Sequence, residues 1–491
     1  MLGLMPFALD ASDTVKKKPN VVFIEVDDLL YTFLGAEGRN FVSTPNIDAL
    51  AKDGVFFSNA VCQGMMCGPS RNSLIAGLYP HNLGFYKNGD MWLLPDKVWS
   101  VGGAMQRAGY NTSWVGKCHV HPPWKDGKRQ SDAQGLHNMM GFDYVVASLG
   151  RVMLARSVVN DKIPPGDPYF NYLKKQGTFE LFADDCRKER KITSLKEDDY
   201  LDGFYANTAV NWLKDRKSKS PFFLWVNFSC PHEPFDVPQK YHDMYKNISI
   251  PPPLSDGFGG VQVPEIFLRW SDKADKKELP ERRRGYAANV SFVDSMVGKI
   301  IKELKSKGLY ENTVIFFFAD QGIFVGNHGR INKMALFNEI TNPALIVHFP
   351  AKFRKGVNEK SPVELLDVIQ TALDIGGAST EDKKVPFGES LMPLLTGKGA
   401  YKRKYAFAEM DGAQLCFDGK YRYHSSSDGV LLYDIDSDPY ELKNVAKEHP
   451  EVVQEMQKAI DDWFNRTGAP LPVKFLKNKE HRKSWKRQRQ K

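Results

Sequence analysis

Cys67, Pro69, Ser70 and Arg71 fall within five positions of the stretch MMCGPSRNSLIAGLYPHNLG, Met65 to Gly84. A cysteine placed directly before Gly-Pro, with an arginine about one helical turn on, admits three readings: a buried structural thiol, half of a disulfide, or a reactive centre. The six cysteines (62, 67, 118, 186, 230 and 416) form neither a CxxC pair nor a zinc-like Cys/His spacing. Asp27, Asp28, Asp320 and the side-chain carbonyl of Gln321 offer hard oxygen donors. Such a set suits Ca²⁺ or Mg²⁺ rather than zinc, which prefers nitrogen and sulfur. Without a cation, clustered carboxylates repel and their pKa values rise. Lys117 and His119 are two apart in an extended segment and so face one side. His232 lies in CPHEPF and Lys333 in GNHGRINKM.

Each of these has an ordinary explanation when taken alone. An Asp pair caps a strand, and a loop lysine is a surface lysine. Their places in the chain argue otherwise. PNVVFIEVDD is an apolar run ending in Asp27-Asp28, as expected of a strand buried on both faces. TPNIDALAKDG carries Ile47, Leu50 and Ala51 on one helical face and stops at Gly54. VWSVGGAMQRAGYNTSWVGKCHV reads helix, glycine stop, strand, with Lys117 and His119 at the strand end. FYANTAVNWLKDRKSKSPFFLWVNFSCPHEPF repeats that grammar and ends near His232. It recurs in VSFVDSMVGKIIKELKSKGLYENTVIFFFADQG, with Val290, Val293, Val297 and Ile300 at helical spacing and Asp320-Gln321 at the strand end. PALIVHFP is one more buried strand.

Helices alternating with buried strands predict an α/β fold with a large, mostly parallel sheet flanked by helices. In such a sheet the loops at the carboxyl ends of the strands gather on one edge, where ligands bind. Four polar clusters scattered in sequence therefore point to one place. After about residue 400 the texture changes to short strands joined by Asp-Gly turns, then an amphipathic helix in PEVVQEMQKAIDDWFNRTG. That predicts a smaller C-terminal α+β domain containing an antiparallel sheet. The expected boundaries are 1–18 for a signal remnant or disordered start, 19–395 for the catalytic domain, 396–470 for the small subdomain and 471–491 for a basic tail. Residues 150–200 and 250–284 read as loop-rich insertions.

The net charge of +8 is located rather than spread. Nine basic residues and one acid lie between Lys474 and Lys491, so the remainder of the chain is near neutral. The tail reads as a solvated end, and the charge of the body gives no ground for a nucleic-acid partner. No apolar run reaches the roughly 18 residues that a bilayer crossing needs. MLGLMPFALDAS reads as the remnant of a secretory signal, which places the protein in the periplasm or outside the cell.

CGPSR followed by NSLIAGLYP resembles the signature of the type I sulfatases, in the alkaline phosphatase superfamily. NVVFIEVDD, TPNIDALAKDGVFFSNAV, VGKCHV, CPHEPF, VSFVDSMVGKII, FFFADQG and LYDIDSDPYELKNVA resemble further family blocks, in family order, over roughly residues 19 to 448. The resemblance implies that Cys67 is oxidised to formylglycine by a formylglycine-generating or anaerobic sulfatase-maturating enzyme. It implies a divalent cation, Ca²⁺ or Mg²⁺, held by Asp27, Asp28, residue 67, Asp320 and Gln321. The hydrated aldehyde at residue 67 would be the nucleophile, hydrogen-bonded by Arg71. Lys117 and Lys333 would neutralise the sulfate oxygens. His232 would protonate the leaving oxygen, and His119 would assist expulsion of sulfate. One departure stands out: where the family commonly has Asp-Asn or Asp-His, this chain has Asp320-Gln321, the same amide oxygen on a longer arm. The implied substrate is a sulfated carbohydrate. A phosphate or phosphonate ester hydrolase on the same scaffold, a choline or aryl sulfatase, and a non-catalytic glycan-binding protein are the alternatives.

Overall fold

The structure, a computed structural model, describes residues 18–88, 99–120, 136–137, 140–254, 257–268, 271–378 and 386–468, with the short strands at 124–125 and 128–129. The expected N-terminal signal remnant and the basic tail lie outside the described residues.

One eight-stranded sheet organises the chain. Its strands are Asn20–Val26 (β1), Val55–Phe57 (β2), Asn111–Lys117 (β3), Tyr144–Ser148 (β4), Phe222–Asn227 (β5), Thr313–Ala319 (β6), Leu345–His348 (β7) and Val357–Glu359 (β8). Their order is β8-β2-β7-β6-β1-β5-β3-β4. β7 runs antiparallel to both its neighbours; the remaining pairings are parallel. The sheet is therefore mostly parallel, and β1 lies inside it between β6 and β5.

The strands bury both faces, which explains their unbroken apolar sequence. Val21 and Phe23 of β1 join one core; Val22, Ile24 and Val26 join the other. β6 divides in the same way, with Val314, Phe316 and Phe318 against Ile315, Phe317 and Ala319. Helices Cys67–Ala76 (α2), Val101–Arg107 (α3) and Leu365–Gly376 (α9) cover the Phe23 face. Helices Pro45–Lys52 (α1), Leu201–Asp215 (α7) and Leu279–Ser306 (α8) cover the opposite face, where Val290, Val293, Val297 and Ile300 are fully buried.

The stretch 150–200 differs from its reading as a loop-rich insertion. It folds as three helices, Arg151–Val159 (α4), Pro168–Gln176 (α5) and Phe179–Arg187 (α6). In α6 Phe179, Phe182, Ala183 and Cys186 recur at helical spacing, a period the sequence reading passed over, and the three helices are held to the sheet by Leu154, Tyr169, Phe170 and Phe182. The described part of 250–284 is largely irregular. Its Asp272–Lys273 strand pairs with Arg330–Asn332, which pairs in turn with Phe324–Val325.

The antiparallel sheet is present. Ala406–Met410 (β9), Ala413–Phe417 (β10), Tyr421–Ser426 (β11) and Gly429–Asp434 (β12) follow one another as a meander. Its Ala406, Ala408, Leu415 and Leu431 join the Phe23 core, while Phe407, Cys416, Tyr423 and Leu432 pack on the terminal helix Pro450–Thr467 (α10). The small sheet is thus buried on both faces and shares its core with the large one.

Phe23 is the hub of that shared core. Its ring meets Phe223, Trp225, Phe316 and Phe318 edge-on at centroid distances of 5.0 to 5.5 Å. Edge-to-face pairs add roughly 0.5–1.5 kcal/mol each beyond area burial. Phe23→Ala is expected to destabilise the protein by about 3–5 kcal/mol, and Phe23→Leu by clearly less. The midpoints of denaturant unfolding for the two variants measure this.

Candidate active site at the carboxyl edge of the sheet

β1 and β6 pair in parallel register from Asn20 with Thr313 to Val26 with Ala319, so Asp27-Asp28 and Asp320-Gln321 emerge side by side. The Asp320 amide donates to the Val26 carbonyl at 3.1 Å, and the Asp28 amide donates to Asp320 Oδ1 at 3.1 Å. Asp28 takes φ +61°, a left-handed conformation that aspartate tolerates better than most residues. The hydroxyl of Tyr286, on α8, holds it there by donating to the Asp28 carbonyl at 2.7 Å.

Cys67 opens α2, and Gly68-Pro69 forms the first turn of that helix rather than a separate turn. Proline fits there because its missing N–H would have no helical partner anyway. The Gly68 amide donates to Asn88 Oδ1 at 3.0 Å, and Ser70 Oγ donates to the Asp320 carbonyl at 2.6 Å. The helix ends at Gly77, φ +64°, where a Cβ would stand 2.4 Å from Cβ of Pro386. Tyr79 and His81, just beyond, dock on the C-terminal unit. Tyr79 donates to Glu364 at 2.8 Å, His81 meets Glu409 at 2.7 Å, and both rings abut Trp463 of α10.

Arg71 is fully buried and binds carboxylates. Its Nε donates to Asp320 Oδ2 at 2.9 Å, and Nη1 donates to Asn227 Oδ1 at 3.0 Å and lies 3.2 Å from Glu25 Oε1. Nη2 lies 4.0 Å from Asp27 Oδ1 and is buried with no hydrogen-bond partner among the described residues. The expected bond from Arg71 to residue 67 is therefore not among its hydrogen bonds, although one guanidinium nitrogen is left to make it.

Lys117 donates to Asp27. β3 can carry it there because Gly116, φ +120°, lets the strand pass Asn227 where a Cβ would come within 2.0 Å of the carbonyl oxygen. Lys333 Nζ reaches both Asp28 oxygens at 2.6 Å and the Cys67 sulfur at 3.2 Å. His119 and His232 also favour the ionised form of that sulfur. His232 Nδ1 lies 2.7 Å from the Glu233 carbonyl, which makes it the donor there. Nε2 faces the site, 3.5 Å from Asp28 Oδ2. The structure thus brings together Asp27, Asp28, Cys67, Arg71, Lys117, His119, His232, Asp320, Gln321 and Lys333. It adds Glu25 and Asn227, which the sequence reading missed. A glutamate inside a strand buried on both faces was the available signal. Trp225 Nε1 donates to its Oε2 at 2.8 Å.

Charge explains how these groups coexist. Burial pushes the Cys67 thiol up, but the Lys117 and Lys333 ammonium groups and the two imidazoles outweigh it and hold the thiol well below its ordinary value. Burial and the Asp27 charge push the Asp320 carboxyl well above the usual range, with Arg71 opposing. Burial also raises Asp28, against Lys333 and His232. The two histidines are pushed apart. Burial leaves His119 below its ordinary value, whereas Asp28 and Asp27 lift His232 above it despite burial and Lys333.

The donor set fits a hard divalent cation. Carboxylate oxygens of Asp27, Asp28 and Asp320 lie within 4.8 Å of one another. Asp27 Oδ1 and Gln321 Oε1 are buried acceptors with no hydrogen-bond partner among the described residues. Each such orphan costs about 1–3 kcal/mol, and a cation bound by oxygens satisfies both. Asp27, Cys67 and His232 form a second, mixed O/S/N group that suits a softer metal while the thiol is unmodified.

The Sulfatase family model matches residues 19–378, and the model for the N-sulphoglucosamine sulphohydrolase C-terminal region matches 326–466. An arylsulfatase of Clostridium perfringens is 27% identical over 470 residues, covering 90% of this chain and 94% of its own. An ulvan-active sulfatase of Formosa agariphila is 28% identical, covering 93% and 82%. A phosphonate monoester hydrolase of Agrobacterium radiobacter superposes with a TM-score of 0.74 at 22% identity, covering 90% and 95%.

Calcium or magnesium at a hundred times its Kd is expected to stabilise the protein by about 2.7 kcal/mol. Asp320→Ala should remove that response. The melting temperature with and without each ion measures both, and a gain that survives in Asp320→Ala would refute the ligand set.

Proposed function

The chain belongs to the sulfatase family and hydrolyses sulfate esters, and from that premise we propose that it desulfates a carbohydrate, using formylglycine made from Cys67 and a bound Ca²⁺ or Mg²⁺. The buried charge of the site carries the reading. Four carboxylates (Glu25, Asp27, Asp28, Asp320) are met by Arg71, Lys117, Lys333 and a His232 imidazole whose pKa is raised. A divalent ion added to these would make the site net positive, which suits an anionic ester.

Formylglycine at residue 67 supplies a hydrated aldehyde, one hydroxyl of which attacks sulfur while the other permits release of sulfate without water attacking sulfur. The cation held by Asp27, Asp28, Asp320 and Gln321 supplies positive charge that favours the ionised nucleophile. Lys117 and Lys333 bind sulfate oxygens and offset charge as the ester bond breaks. Arg71 keeps the carboxylates in place and offers Nη2 to residue 67. His232 presents Nε2 and delivers its proton to the leaving oxygen. The direction of its pKa supports that role, and the opposite direction supports His119 as the group that accepts a proton from residue 67.

A carbohydrate fits this division of labour, because an alkoxide leaving group needs a general acid and an activated phenol does not. The ulvan-active relative supports the same substrate class. Sulfated polymers do not cross membranes, so this reading carries a periplasmic or secreted location. Among the described residues no helix is long and apolar enough to cross a membrane. It also carries a maturation enzyme as a partner. Phosphonate monoesters are anionic too, so charge does not separate them from sulfate esters. Turnover of paired sulfate and phosphonate esters does, and the sulfate is expected to be faster.

Mass spectrometry of the peptide containing residue 67, from active protein, should show formylglycine; fully active enzyme with only cysteine there would refute the nucleophile. His232→Ala should slow a sugar sulfate by about 10²–10⁴-fold while largely sparing nitrophenyl sulfate, whose leaving group departs unprotonated. Equal losses in kcat for the two substrates would move the acid role to another group.

A further inference from the structure

Behind the loop that carries Lys333 lies a cavity of about 280 Å³, lined among others by Phe258, Lys273, Lys276, His328 and Arg330. The catalytic reading leaves every one of these residues without a task. The cavity is framed by secondary structure, because Lys273 and Arg330 are paired residues of adjoining antiparallel strands. Arg330 Nη1 donates to the Ser271 carbonyl at 3.1 Å, which holds the guanidinium against the wall. Phe258 stacks flat on the buried His328, centroids 4.4 Å apart, and forms a rigid aromatic side. Glu339, 3.4 Å from His328 Nε2, raises the pKa of that imidazole despite burial.

This wall is joined to the catalytic centre. Arg330 and Lys333 are three residues apart, so their Cα atoms are at most about 11 Å from each other. Asn332 accepts from Arg282 Nη2 at 3.1 Å, and Arg282 donates through the same nitrogen to Glu233 at 2.9 Å, beside His232. A group in the cavity and a sulfate at Lys333 are therefore within the span of a short oligosaccharide. Two lysines and an arginine converge on the cavity, and no acidic residue is among the described residues lining it.

We propose that the cavity walled by Lys273, Lys276 and Arg330 is a second anion subsite, which binds a further sulfate or carboxylate of a polyanionic glycan while one sulfate ester is cleaved beside Lys333. The proposal rests on the sulfatase reading and narrows its substrate to a glycan bearing at least two anionic groups.

The test is binding to the Cys67→Ala protein, which cannot turn substrate over. Three ligands are titrated by calorimetry: a monosulfated neutral disaccharide, a disulfated disaccharide, and a monosulfated disaccharide bearing a uronate. Adding Lys273→Ser and Lys276→Ser should weaken both dianionic ligands by about two- to thirtyfold, the range expected for two exposed ion pairs, and leave the neutral-backbone ligand unchanged. Weakening of only the disulfated ligand would assign the subsite to sulfate, and of only the uronate ligand to carboxylate. Arg330→Gln should act in the same direction, and if it lowers the melting temperature the lysine pair decides. Unchanged affinity for all three ligands, or equal weakening of all three, overturns the proposal. If wild-type enzyme cleaves phosphonate but no sulfate ester, the sulfatase reading fails, while the titrations still judge the subsite.

Discussion

Four carboxylates are buried within reach of one another, and the architecture around them follows from the need to keep them there. Glu25, Asp27, Asp28 and Asp320 have essentially no solvent contact. Taking charges out of water costs several kcal/mol each unless they are paired and hydrogen-bonded. The Arg71 guanidinium meets three of the four at once, Lys117 pairs with Asp27 and Lys333 with Asp28. Each cation comes from a different element: α2, the end of β3, and the loop after the Arg330–Asn332 strand. The cluster therefore ties together parts of the chain that the sheet alone would leave independent. Acceptors on Asp27 and Gln321 stay without a hydrogen-bond partner among the described residues, and that is the opening the proposed divalent ion would fill.

The sheet and the polar ends of its strands were readable from sequence for a simple reason. Strands buried on both faces must be apolar throughout, so the first acid after the run marks the edge where the core stops. Asp27-Asp28, Lys117 and Asp320-Gln321 were found by that rule. β7 was legible as a buried strand, but not its direction, since an apolar run has no polarity of its own. The meander of β9 to β12 was legible through its Asp-Gly turns. That it shares a core with the large sheet was not, because the residues that join the cores are alanines and leucines indistinguishable from those of a free-standing domain.

What sequence concealed were properties of pairs. Glu25 sits inside an apolar run and looks like noise until Arg71 and Trp225 are seen against it. Arg71 looked like a ligand of the nucleophile because it is near in sequence, whereas its hydrogen bonds cross to residues far along the chain. The helices of 151–187 were passed over although α6 carries Phe179, Phe182, Ala183 and Cys186 at helical spacing; each is short, and a helix of nine residues takes its stability from packing on the sheet. Lys333 taken alone read as an ordinary loop lysine, and the structure puts its ammonium on Asp28 and Cys67.

The seating of Tyr79 and His81 on the last helix bears on the order of events during synthesis. Cys67 is 1% exposed in the folded chain, too deep for another enzyme to reach. The helix it begins is anchored, through His81 and Thr467, to a partner 386 residues further on. At about 5–20 residues per second, tens of seconds separate the emergence of the signature from that of its anchor. Throughout that interval the cysteine has no completed pocket to enter. If residue 67 is converted by a second enzyme, as proposed, the late arrival of its anchor keeps the window for modification open.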